Sequence, residues 1–131
     1  MVEQRPAGEC RGELVLVHGL EGSSEGGYMR SMAWNALRAG YAVHRVNIRG
    51  CGGTEGWCPT LYHAGLTGDV RAYLESLRGR GPVTLVGYSL GGNVSLKLAG
   101  ELGERGGEVA CGVGARLGTG RHAGEVGGEV R

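Results

Sequence analysis

The chain has no phenylalanine, a single aspartate (Asp69) and only three prolines in 131 residues. No pair of carboxylates is placed for glycoside chemistry. The four cysteines, at 10, 51, 58 and 111, form no C-x-x-C pair and fit no zinc spacing, so no metal is expected. Reduced thiols are the expected state, with a Cys51–Cys58 loop disulfide or a weak metal site as the alternatives. The formal charge is only +1 and no basic block stands out, which argues against a nucleic-acid partner. No apolar run approaches the roughly 20 residues that span a bilayer. Met1 to Gly12 is polar and lacks the apolar core of a signal peptide. These absences favour a cytoplasmic protein with no transmembrane segment. Glycine, by contrast, is in excess: 29 residues, roughly three times the usual share of about 7%.

The most informative segment is Val86-Gly87-Tyr88-Ser89-Leu90-Gly91-Gly92, a Gly-x-Ser-x-Gly pattern. A short apolar strand, Val83 to Val86, runs into it. A helical run follows, with Val94, Leu98 and Leu102 at four-residue spacing. A sharp strand-to-helix turn of this kind holds a serine hydroxyl out at the sheet edge, as a nucleophile elbow does. The flanking glycines admit neighbouring chain where a Cβ would clash. Ser89 is the candidate catalytic nucleophile.

Upstream, Leu14 to Val17 is wholly apolar and suits a strand buried on both faces. Tyr28 to Ala39 reads as a helix whose stripe is Tyr28, Met32 and Ala36 with Trp34 and Leu37 beside it, ended by Gly40. Tyr41 to Ile48 is the next strand, and Arg49 to Gly65 a long loop. Thr67 is placed to cap a further helix, with Asp69 in its first turn and Val70, Tyr73, Leu74 and Leu77 as its buried face. Strand and helix alternate three times, which implies a parallel sheet with helical crossovers. From about residue 104 the pattern fails. Gly-Glu-Val recurs at Gly107, Gly124 and Gly128 without sustained period, so 104–131 is expected to be a low-complexity, poorly ordered tail. The ordered domain is expected to occupy 1–103.

Acyl transfer to a serine needs two N–H donors aimed at the developing oxyanion. One comes from the residue after the nucleophile, here the backbone of Leu90. The other comes from a loop at the end of a neighbouring strand. His18-Gly19-Leu20-Glu21-Gly22-Ser23-Ser24 is such a loop, and the Leu20 amide is its candidate donor. His18 precedes the serine in sequence and reads as a loop-shaping residue. His44 reads as structural, Trp34 and Trp57 as packing residues, His63 and Tyr62 as shaping the long loop, and Glu21 and Glu25 as solvated charges. Asn93 is placed to hold the turn through its side chain. Gly112, Gly114 and Gly118 match a dinucleotide fingerprint only superficially, without a convincing strand before them; no cofactor is expected.

Four blocks carry a family resemblance: His18 to Ser23, Asn47 to Gly53, Pro59 to Gly65, and Gly87 to Asn93. In this order and spacing the chain resembles the YheT-like branch of the α/β-hydrolases from about Leu14 to Leu102. The resemblance implies a partial α/β-hydrolase fold, a parallel sheet flanked by helices. It also implies a serine hydrolase acting on carboxylic esters, with a small-molecule or lipid-like ester as substrate. Ser89 matches the family's nucleophile, and the Leu20 and Leu90 amides match its oxyanion hole. The chain departs from the family after Ser89. The fold places its acid and histidine later in the chain, yet the 42 residues that follow hold no aspartate and a single histidine, His122, in the glycine-rich tail. His122 reads as a solvated residue. The expectation is therefore the N-terminal part of a hydrolase, truncated or altered near residue 103 and impaired in turnover. A non-catalytic module binding through its exposed sheet edge, or an acyltransferase, is the alternative.

Overall fold

A computed structural model describes residues 1–53, 56, 67–103 and 109–114. Its elements are β1 (Val2–Gln4), β2 (Glu13–Val17), α1 (Gly27–Arg38), β3 (Ala42–Val46), α2 (Gly68–Ser76), β4 (Val83–Tyr88), α3 (Leu90–Leu102) and β5 (Val109–Gly114). The sheet runs β1-β3-β2-β4-β5. β2, β3, β4 and β5 are parallel, and β1 lies antiparallel on β3.

β2 is buried along its whole length because both of its faces are covered. Leu14 and Leu16 pack with Met29, Ala33 and Ala36 of α1 and with Val43. Val15 and Val17 face the other way, into Val70 and Leu74 of α2, Leu77, and Val94 and Leu98 of α3. Residues two apart share a face of a strand, so an unbroken apolar run serves two cores. The chain leaves β2 toward β3, then crosses back over β2 to reach β4. The carboxyl ends of β2 and β4 therefore flank the point where strand order reverses, the place where open α/β sheets form their clefts.

At the opposite end of the sheet a polar chain is buried. His44 Nε2 lies 2.5 Å from the Glu13 carboxylate, and the Tyr73 hydroxyl 2.7 Å from His44 Nδ1. Glu13 and His44 are almost wholly enclosed. A buried charge persists only when paired and hydrogen-bonded, and here β2, β3 and α2 are tied by that requirement. The structural role read for His44 fits this arrangement.

Several expectations need correction. The buried stripe of α1 is Met29, Ala33 and Ala36, one residue out of phase with Tyr28 and Met32. Tyr28, Met32 and Trp34 are exposed, so Trp34 does not pack in the core. Four-residue spacing alone does not fix which of two adjacent stripes turns inward; the small Ala33 and Ala36 are what allow α1 to approach the sheet. Thr67 precedes α2 but does not cap it: its hydroxyl donates to Glu101 Oε2 at 2.8 Å, and its backbone is helical. The polar start of the chain contains β1, whose three residues pair with β3. Within the expected tail, Val109–Gly114 continues the sheet beside β4. The edge of β4 is thus paired along Val83–Tyr88 rather than open to a partner. Glycine at 112 and 114 hid the strand, because it dilutes the alternation a strand is read from. Trp57, Cys58, Tyr62, His63 and His122 lie outside the described residues.

Candidate active site

The register Val17↔Gly87 places the ends of β2 and β4 side by side. The next residues of each strand, His18-Gly19 and Tyr88-Ser89, therefore lie together. A Cβ built on Gly19 would stand 3.2 Å from the Tyr88 carbonyl oxygen and 3.3 Å from the Ser89 Cβ. Only glycine lets these two loops come this close without displacement.

Ser89 joins β4 to α3 with φ 52° and ψ −113°. A non-glycine residue at positive φ costs on the order of 1–3 kcal/mol and is held there by its surroundings. Two glycines do the holding. A Cβ on Gly87 would collide with the Gly91 carbonyl and the Ser95 hydroxyl. A Cβ on Gly91 would collide with the carbonyls of Val17 and His18. Ser95 is buried and donates to the Gly91 carbonyl at 2.7 Å, and the Asn93 backbone N–H donates to the Ser89 carbonyl at 3.1 Å. The main chain at Asn93 thus closes the first turn. A serine before a helix usually caps it through its side chain. Ser89 makes no such bond, and its backbone is turned away from capping geometry. The residue is exposed. Leu90, next in the chain, opens α3, where first-turn N–H groups have no partner within the helix.

The loop after β2 is fixed from below. His18 is fully buried. Its Nε2 accepts the Ile48 N–H at 3.0 Å, so the proton sits on Nδ1, which donates to the Gly19 carbonyl at 2.7 Å. Burial holds the imidazole below its ordinary pKa, partly opposed by the Gly19 bond. A neutral ring with both nitrogens engaged shapes the loop, as its place before the serine implied. The Gly19 N–H donates to the Tyr28 hydroxyl at 3.0 Å, and the Tyr28 ring packs on Tyr88 with centroids 4.7 Å apart. The Ser24 N–H donates to Asn47 Oδ1 at 2.6 Å, and the Ser24 carbonyl accepts from Arg45 at 2.5 Å. Leu20 lies between these anchors and is exposed. A cavity of about 380 Å³ opens beside it, lined by Glu21 to Ser23 and Gly50 to Gly52. Asn47, Ile48 and His18 show that two of the sequence blocks are halves of one hydrogen-bonded unit. Sequence reading missed Tyr28 and Asn47 in this role; the only signal was that Asn47 begins the second block.

Two carboxylates, Asp69 and Glu101, are committed elsewhere. Arg49 grips Asp69 with two bonds, at 2.8 and 2.6 Å, and this hydrogen bonding holds the carboxyl below its ordinary pKa. Glu101 takes Thr67, Arg71 and Lys97. No histidine follows Ser89 among the described residues.

A mixed sheet with four parallel strands and helices on both faces, carrying an exposed serine on a strained turn at the strand-order reversal, defines the class of doubly wound α/β proteins. The chain belongs to the alpha/beta hydrolase fold family, whose sequence model matches residues 13–111. It is 38% identical over 84 residues to a putative esterase, YheT, of Escherichia coli, covering 62% of this chain and 25% of that protein. It is 31% identical over 96 residues to a monoacylglycerol lipase of Saccharomyces cerevisiae, covering 70% and 21%. The resemblance carried by the four blocks is thereby borne out. The chain spans only a quarter and about a fifth, respectively, of these two relatives. Among solved structures it is similar to XC6422 of Xanthomonas campestris, an α/β serine hydrolase without lid. The TM-score is 0.65 at 24% identity, over 76% of this chain and 49% of that one, a likeness of fold. No helix among the described residues is long and apolar enough to cross a membrane.

Proposed function

We propose that Ser89 is the nucleophile of a carboxylic-ester hydrolase and that the Leu20 and Leu90 amides receive the oxyanion. In this reaction the Ser89 oxygen attacks the acyl carbon and loses its proton to a base. The carbonyl oxygen gains negative charge and is held by the two amides. The alcohol leaves with a proton, and water then cleaves the acyl-serine. The observation that carries this reading is the exposed, non-capping Ser89 at φ 52°, wedged in place by Gly87 and Gly91. Use of the Gly19 N–H by Tyr28 supports Leu20 as the loop's donor. In this reading the base and its acid come from outside the described residues, because His18, His44 and Asp69 are all engaged elsewhere. An elbow lacking its base retains only slight activity, on the order of 10⁴-fold or more below a whole triad.

A fluorophosphonate probe tests the reading. Slow covalent labelling at Ser89 that vanishes in Ser89→Ala is the expected result. Folded wild-type chain that labels no better than Ser89→Ala would remove the nucleophile and leave a non-catalytic binding module.

A further inference from the structure

A second cavity lies away from Ser89. It is a groove of about 440 Å³ between α1 and the β1–β3 edge, lined by Gln4, Arg30, Ser31, Trp34, Leu37 and Arg45 among others. That volume falls within the roughly 300–1,000 Å³ of small-molecule sites. Its charged lining among the described residues is Arg30 and Arg45. Arg30 is exposed and has no ion-pair partner among the described residues. Arg45 is only 7% exposed. It reaches the Ser24 carbonyl at 2.5 Å and lies 3.3 Å from Glu25, whose side chain is 63% exposed. Its Nε is buried with no hydrogen-bond partner among the described residues. A buried cation needs close compensation, and a solvated carboxylate on the rim supplies little of it. Beside these charges Trp34 leaves 64% of its surface in solvent, and Leu37 continues the apolar wall.

We propose that this groove binds a small organic acid with one carboxylate and an apolar, preferably aromatic, body. Arg30 and Arg45 compensate the carboxylate, Arg30 by direct contact and Arg45 through its buried charge in the wall. Trp34 and Leu37 cover the apolar body, which lets the indole lose solvent contact without filling the core. Ser31 and Gln4 supply neutral hydrogen-bonding groups at the rim. The site is separate from Ser89 and stands whether or not that serine reacts. Arg45 also holds Ser24, so the loop bearing Leu20 and the bound acid share one guanidinium.

Calorimetric titration of the full chain with 3-phenylpropionate tests this, with 3-phenylpropionamide and inorganic phosphate as comparisons. Saturable binding of the acid is expected, with the amide and phosphate each about tenfold weaker or worse. Arg30→Gln and Trp34→Ala should each weaken the acid about tenfold. Both side chains are exposed, so circular dichroism should show the fold intact. Ser89→Ala should bind like the parent. No saturable binding by folded protein, or binding untouched by both groove substitutions, overturns the proposal. So does binding lost in Ser89→Ala, which would place the acid at the elbow. Phosphate binding as tightly as the acid would refute the apolar half of the site.

Discussion

Gly19 and Ser89 lie just beyond the ends of neighbouring parallel strands, and a side-chain carbon on the first would press against the Cβ of the second at 3.3 Å. The two loops that carry the candidate nucleophile and the candidate oxyanion donor are therefore spaced by the absence of one methyl group. Gly19→Ala should cost about 1 kcal/mol, because its neighbours must yield by only a few tenths of an ångström. Ser89 labelling should fall several-fold, since a displacement of about 1 Å can cost about 10²-fold and this one is a few tenths of that. Equal labelling of Gly19→Ala and parent would show that the loop spacing is irrelevant to reactivity.

Glycine within α3 gives a prediction of opposite signs. Replacing a helical glycine by alanine ordinarily stabilises by roughly 0.5–1 kcal/mol. Gly100 has open space around its missing Cβ, so Gly100→Ala should show that gain. Gly91 faces the Val17 and His18 carbonyls, so Gly91→Ala should instead destabilise by about 1–3 kcal/mol. Urea unfolding of the two variants measures both. Gly91→Ala at least as stable as the parent would contradict the packing of α3 against β2.

Ser89→Gly should raise stability while abolishing labelling. At φ 52°, ψ −113° a side chain is strained and glycine is not. The relief exceeds the extra entropy glycine loses on folding, leaving a gain of about 1 kcal/mol. Differential scanning calorimetry should show a higher melting temperature than in either the parent or Ser89→Ala, which keeps the Cβ. A lower one would mean that the turn is not strained.

What could be read from sequence follows from how local each cause is. The elbow was legible because Gly87, Ser89 and Gly91 act within one turn and the apolar run of β4 leads straight into it. β2 was legible because four successive apolar residues have no other use at that length. The face of α1 was not. Tyr28, Met32 and Ala36 form as regular a stripe as Met29, Ala33 and Ala36, and the choice is made by the sheet, which accepts alanine and rejects tyrosine. Thr67 carried a correct local signal for a cap that Glu101, 34 residues away, overrides. The partners of His18 and Ser24 come from β3 and the residues after it, at separations no spacing rule reveals. The family resemblance marked those residues as a block without saying that they touch.

Acidification should weaken the fold in two windows. Burial holds His18 below its ordinary value near 6.5, so between that value and its lowered one the unfolded chain binds the extra proton. Stability contributed by neutral His18 is therefore complete above about pH 6.5 and falls as pH drops below it, by at most about 1.4 kcal/mol per pH unit. Asp69, lowered chiefly by its hydrogen bonds to Arg49, adds a second loss only below its ordinary value of 3.8. That loss is small, within about 1 kcal/mol, because the pair is exposed to solvent. Urea midpoints from pH 8 to 5, with NMR of the His18 ring, check the first window. A His18 ring already protonated at pH 6.5 would contradict the tautomer assigned from Ile48.

Tyr28→Phe isolates one hydrogen bond at the candidate site. The ring contact with Tyr88 survives the substitution, while the Gly19 N–H loses its 3.0 Å acceptor. Gly19 is buried, so the orphaned donor should cost about 1–3 kcal/mol. The same change frees the main chain just before Leu20, which should blur the direction of the amide assigned to the oxyanion. Labelling of Ser89 should then fall several-fold at a temperature where the variant remains fully folded. Phosphonate and ester substrates should suffer alike, because both place an oxygen at that amide. If stability drops while labelling holds, Tyr28 braces the loop but the Leu20 amide does not receive the charge. The second donor would then have to be sought elsewhere than on the loop after β2.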